Sequence, residues 1–355
     1  MQPHLLVITI DTLRADYVNC YGRREIATPN LDRFAASGAR FGEHLSSISV
    51  TLPSHCALMT GCTPMVNGVT WNGMDTSRRR RTLAEIAAEA GYQTTAITSW
   101  GGFQTQAVYG YQNVYSQEGA ASLENRGDKT IQRVQQWIEQ ADSTIPQLLW
   151  VHFIDPHTPD HSPAPFPHTY EGSIEFTDTL IGPFIEAWDS RFGADKSIAV
   201  ITADHGEHIN DHGVERSHGS LWETCLWIPL MMRVPDMIKP GSVVPELTRQ
   251  IDVLPTILDY AQLPMPYDVE GMSMRGLIEG TDSNMRLVHQ GQAINTEAYT
   301  ATIRNAEYSL HFGEEQNLAY LFDRRTDPGE EQSLLDTGAL VNHSTKHSIA
   351  DAKEK

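Results

Sequence analysis

The 355-residue chain has no excess of basic residues: 26 Lys plus Arg stand against 45 Asp plus Glu, for a formal charge of −19. A negative field repels polyphosphate at long range, so neither a nucleic-acid polymer nor an anionic membrane is an expected partner. No run of about 18 apolar residues occurs, which excludes an ordinary membrane-spanning helix. Cysteine is scarce, and Cys20, Cys56, Cys62 and Cys225 form no CxxC pair. That excludes a disulfide scaffold and a zinc ribbon and predicts reduced thiols. No internal repeat or low-complexity tract is present. A basic leader is lacking too: Met1-Gln-Pro-His runs straight into Leu5-Leu-Val-Ile-Thr-Ile10, with no small-residue cleavage site after it. The run therefore reads as a buried first strand, and the expected compartment is the cytoplasm, or the periplasm had a leader been removed.

What is present is an ordinary globular composition, 40% hydrophobic, long enough for one large domain with a satellite. Short apolar blocks at Leu5–Ile10, Thr94–Thr98, Gln147–Phe153, Ser197–Thr202 and Ile228–Val234 suit strands buried on both faces. Amphipathic helices are predicted between them at Asn30–Ser37, Thr82–Ala90, Asp128–Gln140 and Ser173–Phe192, with another at Ile251–Tyr260. Strand and helix in alternation predict an α/β sandwich with a mostly parallel central sheet flanked by helices. Beyond about residue 281, Ala298–Arg304, Tyr308–Phe312 and Leu318–Phe322 read as a small antiparallel sheet. The expected division is thus a catalytic domain at 1–280, a C-terminal subdomain at 281–336 and a polar tail at 337–355.

Chemistry concentrates between positions 152 and 218, which hold eight of the fifteen His, with Asp155, Asp160, Asp204, Glu207 and Asp211 among them. Imidazole with carboxylate is a ligand set for zinc, manganese or iron. Three strand ends converge on it, because ligands gather at the carboxyl ends of strands in open α/β sheets. Strand one ends at Asp11, Gln147–Phe153 leads to Asp155 and His157, and Ser197–Thr202 leads to Asp204-His205-Gly206-Glu207. A fourth element, Thr51-Leu-Pro-Ser54, predicts a helix start with a capping hydroxyl. A hydroxyl there, beside a metal and a helix N-terminus, suits attack on a phosphoryl or sulfuryl group.

Thr28-Pro-Asn-Leu-Asp-Arg-Phe-Ala-Ala-Ser-Gly-Ala-Arg-Phe41 resembles the segment that sulfatases carry between their first metal ligand and their nucleophile. Asp204-His205-Gly206-Glu207, Asp252-Val-Leu-Pro-Thr-Ile-Leu-Asp259 and Leu321-Phe-Asp-Arg-Arg-Thr-Asp-Pro-Gly-Glu330 follow in the family's order. The chain is accordingly identified as a member of the sulfatase branch of the alkaline phosphatase superfamily, which implies the alkaline-phosphatase-like α/β sandwich. It departs from that pattern in four places. Sulfatases have Cys or Ser in Cys/Ser-x-Pro-x-Arg, the source of formylglycine, where this chain has Thr51-Leu-Pro-Ser-His55. Threonine cannot become formylglycine, and His55 stands where the arginine does. The paired Asp after strand one is Asp11-Thr12 here, and Ser99-Trp100-Gly101-Gly102 lacks the family's lysine.

Within the superfamily, the resemblance therefore shifts toward enzymes that use a Thr nucleophile and a metal held by Asp, Asp and His. It implies Asp11, Thr51, Asp204 and His205 as one metal cluster. It leaves His218 as either a second-metal ligand or the acid that protonates the leaving oxygen. Asp155 and His157 match either the contact to the ester oxygens or second-metal ligands. Asn72 is either a donor to a non-bridging oxygen or a turn residue beside Gly73. The implied function is metal-dependent hydrolysis of a small anionic ester, a phosphate mono- or diester, through a phospho-Thr51 intermediate. The alternatives are a sulfatase acting without formylglycine and a non-catalytic metal-stabilised binding protein. One or two divalent ions are expected, zinc or manganese ahead of magnesium or calcium. His55, His157, His218 and the Arg78–Arg81 run are expected to draw the anion in. Loops such as 109–126 and 159–170 would set specificity.

Overall fold

The computed structural model describes residues 2–22, 25–74, 80–103, 106–116, 126–157, 162–282, 289–295, 298–313 and 318–335. Its strands are β1 (His4–Ile10), β2 (Ala39–Leu45), β3 (Gln93–Thr98), β4 (Asn113–Ser116), β5 (Gln147–Phe153), β6 (Ser197–Ala203), β7 (His208–Asp211), β8 (Val214–Ser217), β9 (Leu230–Arg233), β10 (Ser242–Arg249), β11 (His289–Asn295), β12 (Ala298–Arg304), β13 (Tyr308–Gly313) and β14 (Leu318–Asp323). Its helices are α1 (Pro29–Ala36), α2 (Thr51–Thr60), α3 (Pro64–Asn67), α4 (Leu83–Glu89), α5 (Gly127–Gln140), α6 (Tyr170–Phe192), α7 (Glu223–Leu226), α8 (Val253–Ala261) and α9 (Arg275–Ile278).

An eight-stranded sheet in the order β10-β2-β9-β6-β1-β5-β3-β4 forms the centre. Its pairings are parallel except where β9 joins β2 and β6. β1 is buried at every position because helices cover both faces of the sheet, and its alternation divides the core. Leu5 and Val7 pack with α2, α4 and α8 on one face, while Leu6, Ile8 and Ile10 pack with α1, α5 and α6 on the other. The register matters for function. Ile10 pairs with Phe153 of β5 and with Ala203 of β6, so all three strands end level and deliver the residues that follow them to one place.

β11 to β14 form the separate antiparallel sheet, in chain order. It is tied to the catalytic region through Arg304 of β12, which is fully buried. Arg304 pairs with Glu223 and, at 3.0 Å, with Glu330, and donates to the Leu221 carbonyl. Trp222 lies stacked between His212 and His311, with ring centroids 4.3 and 4.9 Å away.

The five predicted strands of the central sheet are present within two residues at each end, and Ile228–Val234 shortens to β9 and runs antiparallel. β2, β4, β7, β8, β10 and β11 go beyond the sequence pattern. The expected tail at 337–355 lies outside the described residues.

Candidate active site

The first metal-binding candidate comes from strand ends alone. Asp11 follows β1 and Asp204 follows β6; Asp11, Asp204 and His205 offer ligand atoms that all lie within 4.8 Å of one another. All three side chains are buried. The turn after β1 is strained: Thr12, a β-branched residue, has φ +57°. Tyr170 holds that turn by donating its hydroxyl to the Thr12 carbonyl and accepting from Arg14 N–H. The strain lets Thr12 N–H reach Asp204 Oδ1 at 3.0 Å, beside the His205 N–H at 2.8 Å. Gly206 is needed next, since a Cβ there would lie 2.1 Å from the Thr224 carbonyl oxygen.

The donor set fits a divalent cation. Asp204 Oδ2 and Asp11 Oδ1 are buried and have no hydrogen-bond partner among the described residues, an expensive arrangement for carboxylates unless a positive charge faces them. His205 Nδ1 lies 2.9 Å from the Gly206 carbonyl oxygen, so Nδ1 carries the hydrogen and the Nε2 lone pair faces the cluster. A metal-ligating histidine is oriented in this way. Burial opposes charge on Asp11, yet the approach of His152, together with His157 and His205, holds it well below the usual carboxylate range. Burial, then the charge of Asp11, pushes Asp204 upward.

Thr51 opens α2 and is buried; its hydroxyl lies 3.4 Å from His205 Nε2. The backbone at Asp204 is locked beneath that helix, because Ser54 Oγ and Gln250 Nε2 both donate to its carbonyl. On the open side, His218 Nδ1 sits 3.3 Å from Glu207 Oε1, and its ring centroid is 4.8 Å from that of His205 and 5.2 Å from that of His157. Burial pulls the His218 pKa down, but the bond to Glu207 and its charge bring the net shift upward.

A sulfatase family model matches residues 3–263, most of the chain. The chain belongs to the sulfatase family. A second model, for the C-terminal part of N-sulphoglucosamine sulphohydrolase, matches residues 217–354 of this sulfatase-family protein. An arylsulfatase of Clostridium perfringens is 22% identical, with 95% of this chain and 91% of that protein aligned. The solved structure of a phosphonate monoester hydrolase of Agrobacterium radiobacter superposes with a TM-score of 0.84 at 18% identity, covering 99% of this chain and 94% of that one. A protein solved with its substrate D-glucosamine-2-N,6-O-disulfate gives the same TM-score and identity, over 100% and 97%. This sulfatase-family protein is thus an ester hydrolase on the alkaline-phosphatase-like fold.

The structure brings Asp11, Thr51, Asp204, His205, His157 and His218 of this sulfatase-family chain into one region, and it does not bring Asp155 into the cluster of three. Asp155 Oδ2 instead accepts from the Gly127 N–H at 2.8 Å at the start of α5, and burial raises its pKa to about 6. Asn72 Oδ1 accepts from Leu52 N–H at 2.9 Å, which leaves the Asn72 amide N–H groups to donate. That bond narrows the helix N-terminus that an anion could meet. Leu52 N–H is taken, Pro53 has none, and Ser54 N–H is bound to the Val50 carbonyl. The cap of α2 is Val50, with no capping hydroxyl. His55 supplies no positive charge, because it is wholly buried and burial lowers its pKa to about 3. Arg80 pairs with Asp268 and Arg81 with Glu89; Arg78 and Arg79 lie outside the described residues. Sequence reasoning passes over His152, whose Nε2 is 3.4 Å from Asp11 Oδ2. The signal for it is its place at the end of β5, where it shares the α2-facing parity of Leu148 and Trp150.

Proposed function

We propose that the protein cleaves small phosphate mono- or diesters by attack of the Thr51 hydroxyl, with a covalent phospho-Thr51 intermediate. The observation that carries this reading is the Thr51 hydroxyl beside His205 Nε2, in a buried Asp-Asp-His cluster in which one oxygen of each carboxylate has no hydrogen-bond partner among the described residues. An alcohol in place of the formylglycine position favours phosphate transfer. Formylglycine sulfatases regenerate an aldehyde, whereas a phospho-threonine is released by water.

Asp11, Asp204 and His205 would hold a divalent cation, with Thr51 beside it. When bound, such an ion lowers the pKa of a neighbouring hydroxyl and balances charge on the ester oxygens. Thr51 gives up its proton to solvent and its oxygen bonds to phosphorus as the bond to the leaving alcohol breaks. His218, oriented by Glu207, donates a proton to the leaving oxygen. Water then attacks the phospho-Thr51 and gives one proton to His218, while the Thr51 oxygen leaves phosphorus and takes a proton back from solvent, freeing phosphate, or a monoester when the substrate is a diester. The Asn72 amide donates to a non-bridging oxygen, where developing charge makes such a donor valuable, and His157 contacts the ester from the same side as His218.

The sulfate reading has its own support in the arylsulfatase relative. Parallel assays of aryl phosphate, phosphodiester and sulfate esters with added zinc, manganese, magnesium or calcium separate the two. Phosphate ester turnover well above sulfate turnover is the expected result, and the reverse order overturns the proposal.

A further inference from the structure

Beneath the nucleophile helix lies a closed donor chain. Trp150 Nε1–H donates to Thr9 Oγ1 at 2.9 Å, Thr9 Oγ1 lies 3.1 Å from His55 Nε2, and His55 Nδ1 lies 2.8 Å from the Thr51 carbonyl oxygen. Thr9, His55 and Trp150 are each fully buried. Indole N–H can only donate and a carbonyl can only accept. Nδ1 must therefore carry the His55 hydrogen. Thr9, already accepting from Trp150, sends its own hydrogen to Nε2. The carbonyl end sets the tautomer, and the Thr9 hydroxyl, which can accept from Trp150 and still donate, completes the chain at Nε2. The Nδ1–H also leans toward Asp204 Oδ2, 3.8 Å away.

We infer that His55 is a positioning residue that holds the Thr51 carbonyl through its Nδ1–H, with Thr9 and Trp150 fixing the ring. At the position where the family motif places an arginine, this chain has an imidazole strut. It fixes the Thr51 carbonyl, and so the first turn of α2, relative to Asp204. Phe103 and His152 wall the imidazole with ring centroids 4.7 and 5.1 Å away, so no water has to complete the chain. The inference rests on the proposed nucleophilic role of Thr51, since only then does the strut bear on the reaction.

Thr9→Val deletes the hydroxyl at nearly constant volume and leaves both His55 Nε2 and the Trp150 N–H unsatisfied. Loss of placement at a reacting group costs about ten- to a hundredfold in rate, so kcat falls by that factor while KM stays within about twofold. Thr9→Ser restores kcat. His55→Asn, which keeps an N–H at the Nδ1 position, retains more activity than His55→Gln. The independent readout is the ring-nitrogen NMR spectrum of the full chain labelled at histidine, with the His55 signals assigned by their loss in His55→Asn. The expected pattern in the unmutated protein is protonated Nδ1 with bare Nε2. A bare Nδ1, unchanged kcat in Thr9→Val, or Asn no better than Gln overturns the inference. If Thr51→Ala stays active while the spectrum shows the expected tautomer, the nucleophile assignment fails and the hydrogen-bond chain stands.

Discussion

Replacing Asp204 by Asn separates the cost of the empty cluster from the gain of filling it. The new side chain would keep an oxygen for the Thr12 and His205 N–H groups and would present an amide where Oδ2 now lies unpartnered. Two carboxylate oxygens less than 4.8 Å apart repel by roughly 3 to 4 kcal/mol at an effective dielectric constant of about 20 when both are charged. Because Asp204 is pushed toward its neutral form, that figure is an upper bound. Asp204→Asn is therefore expected to leave the chelated protein as stable as before or more so. A divalent ion at about 100 times its dissociation constant adds about 2.7 kcal/mol to the unmutated protein. At about 2 °C per kcal/mol for a chain of this size, chelation lowers its melting temperature by roughly 5 °C, and Asp204→Asn shows no such shift. Differential scanning calorimetry with chelator and then zinc, manganese, magnesium or calcium makes the comparison. An equal metal shift in both proteins, or a chelated variant several degrees less stable, refutes the reasoning.

Three further outcomes follow from the same geometry. Glu330→Gln leaves the buried Arg304 with half its carboxylate partners and costs about 3 kcal/mol in denaturant unfolding; a change under about 1 kcal/mol shows that the pair does not tie the C-terminal sheet down. The same carboxylate sets an acid limit. Burial opposes its charge, but Arg304 and the bond to His311 hold Glu330 below its ordinary value of 4.5. With a lowered folded pKa, its stabilisation is full above about pH 4.5 and drains as pH falls below it, a slope that Glu330→Gln removes and that unfolding at pH 3 to 6 measures. Asn72→Ala lowers kcat by about 100-fold with little change in KM, as for a lost transition-state donor; steady-state kinetics showing mainly a KM effect point instead to a ground-state contact.

The parts of the fold that were legible share a physical signature. Leu5–Ile10 and Gln147–Phe153 are buried on both sides, so their apolar runs are continuous. β2 and β10 were not legible. β2 carries Arg40, Gly42 and Glu43 on a partly exposed strand, and β10 holds Pro245 at the sheet edge, where a missing N–H is tolerated. The β7–β8 hairpin hid inside the histidine-rich segment, although its two-residue turn, His212-Gly213, has positive φ at both positions. The three-ligand cluster could be read because level parallel strands deliver their following residues together. The destinations of Asp155 and His55 could not, since both depend on partners far along the chain: Gly127 for one, Thr9 and Trp150 for the other.

The most direct test of the central claim is mass spectrometry of the acid-quenched enzyme during turnover of an aryl phosphate. A phosphoryl group on the peptide that begins α2, located at Thr51 and lost in Thr51→Ala together with turnover, is the predicted result. Turnover with no phosphoryl group on Thr51, sustained in Thr51→Ala, contradicts it.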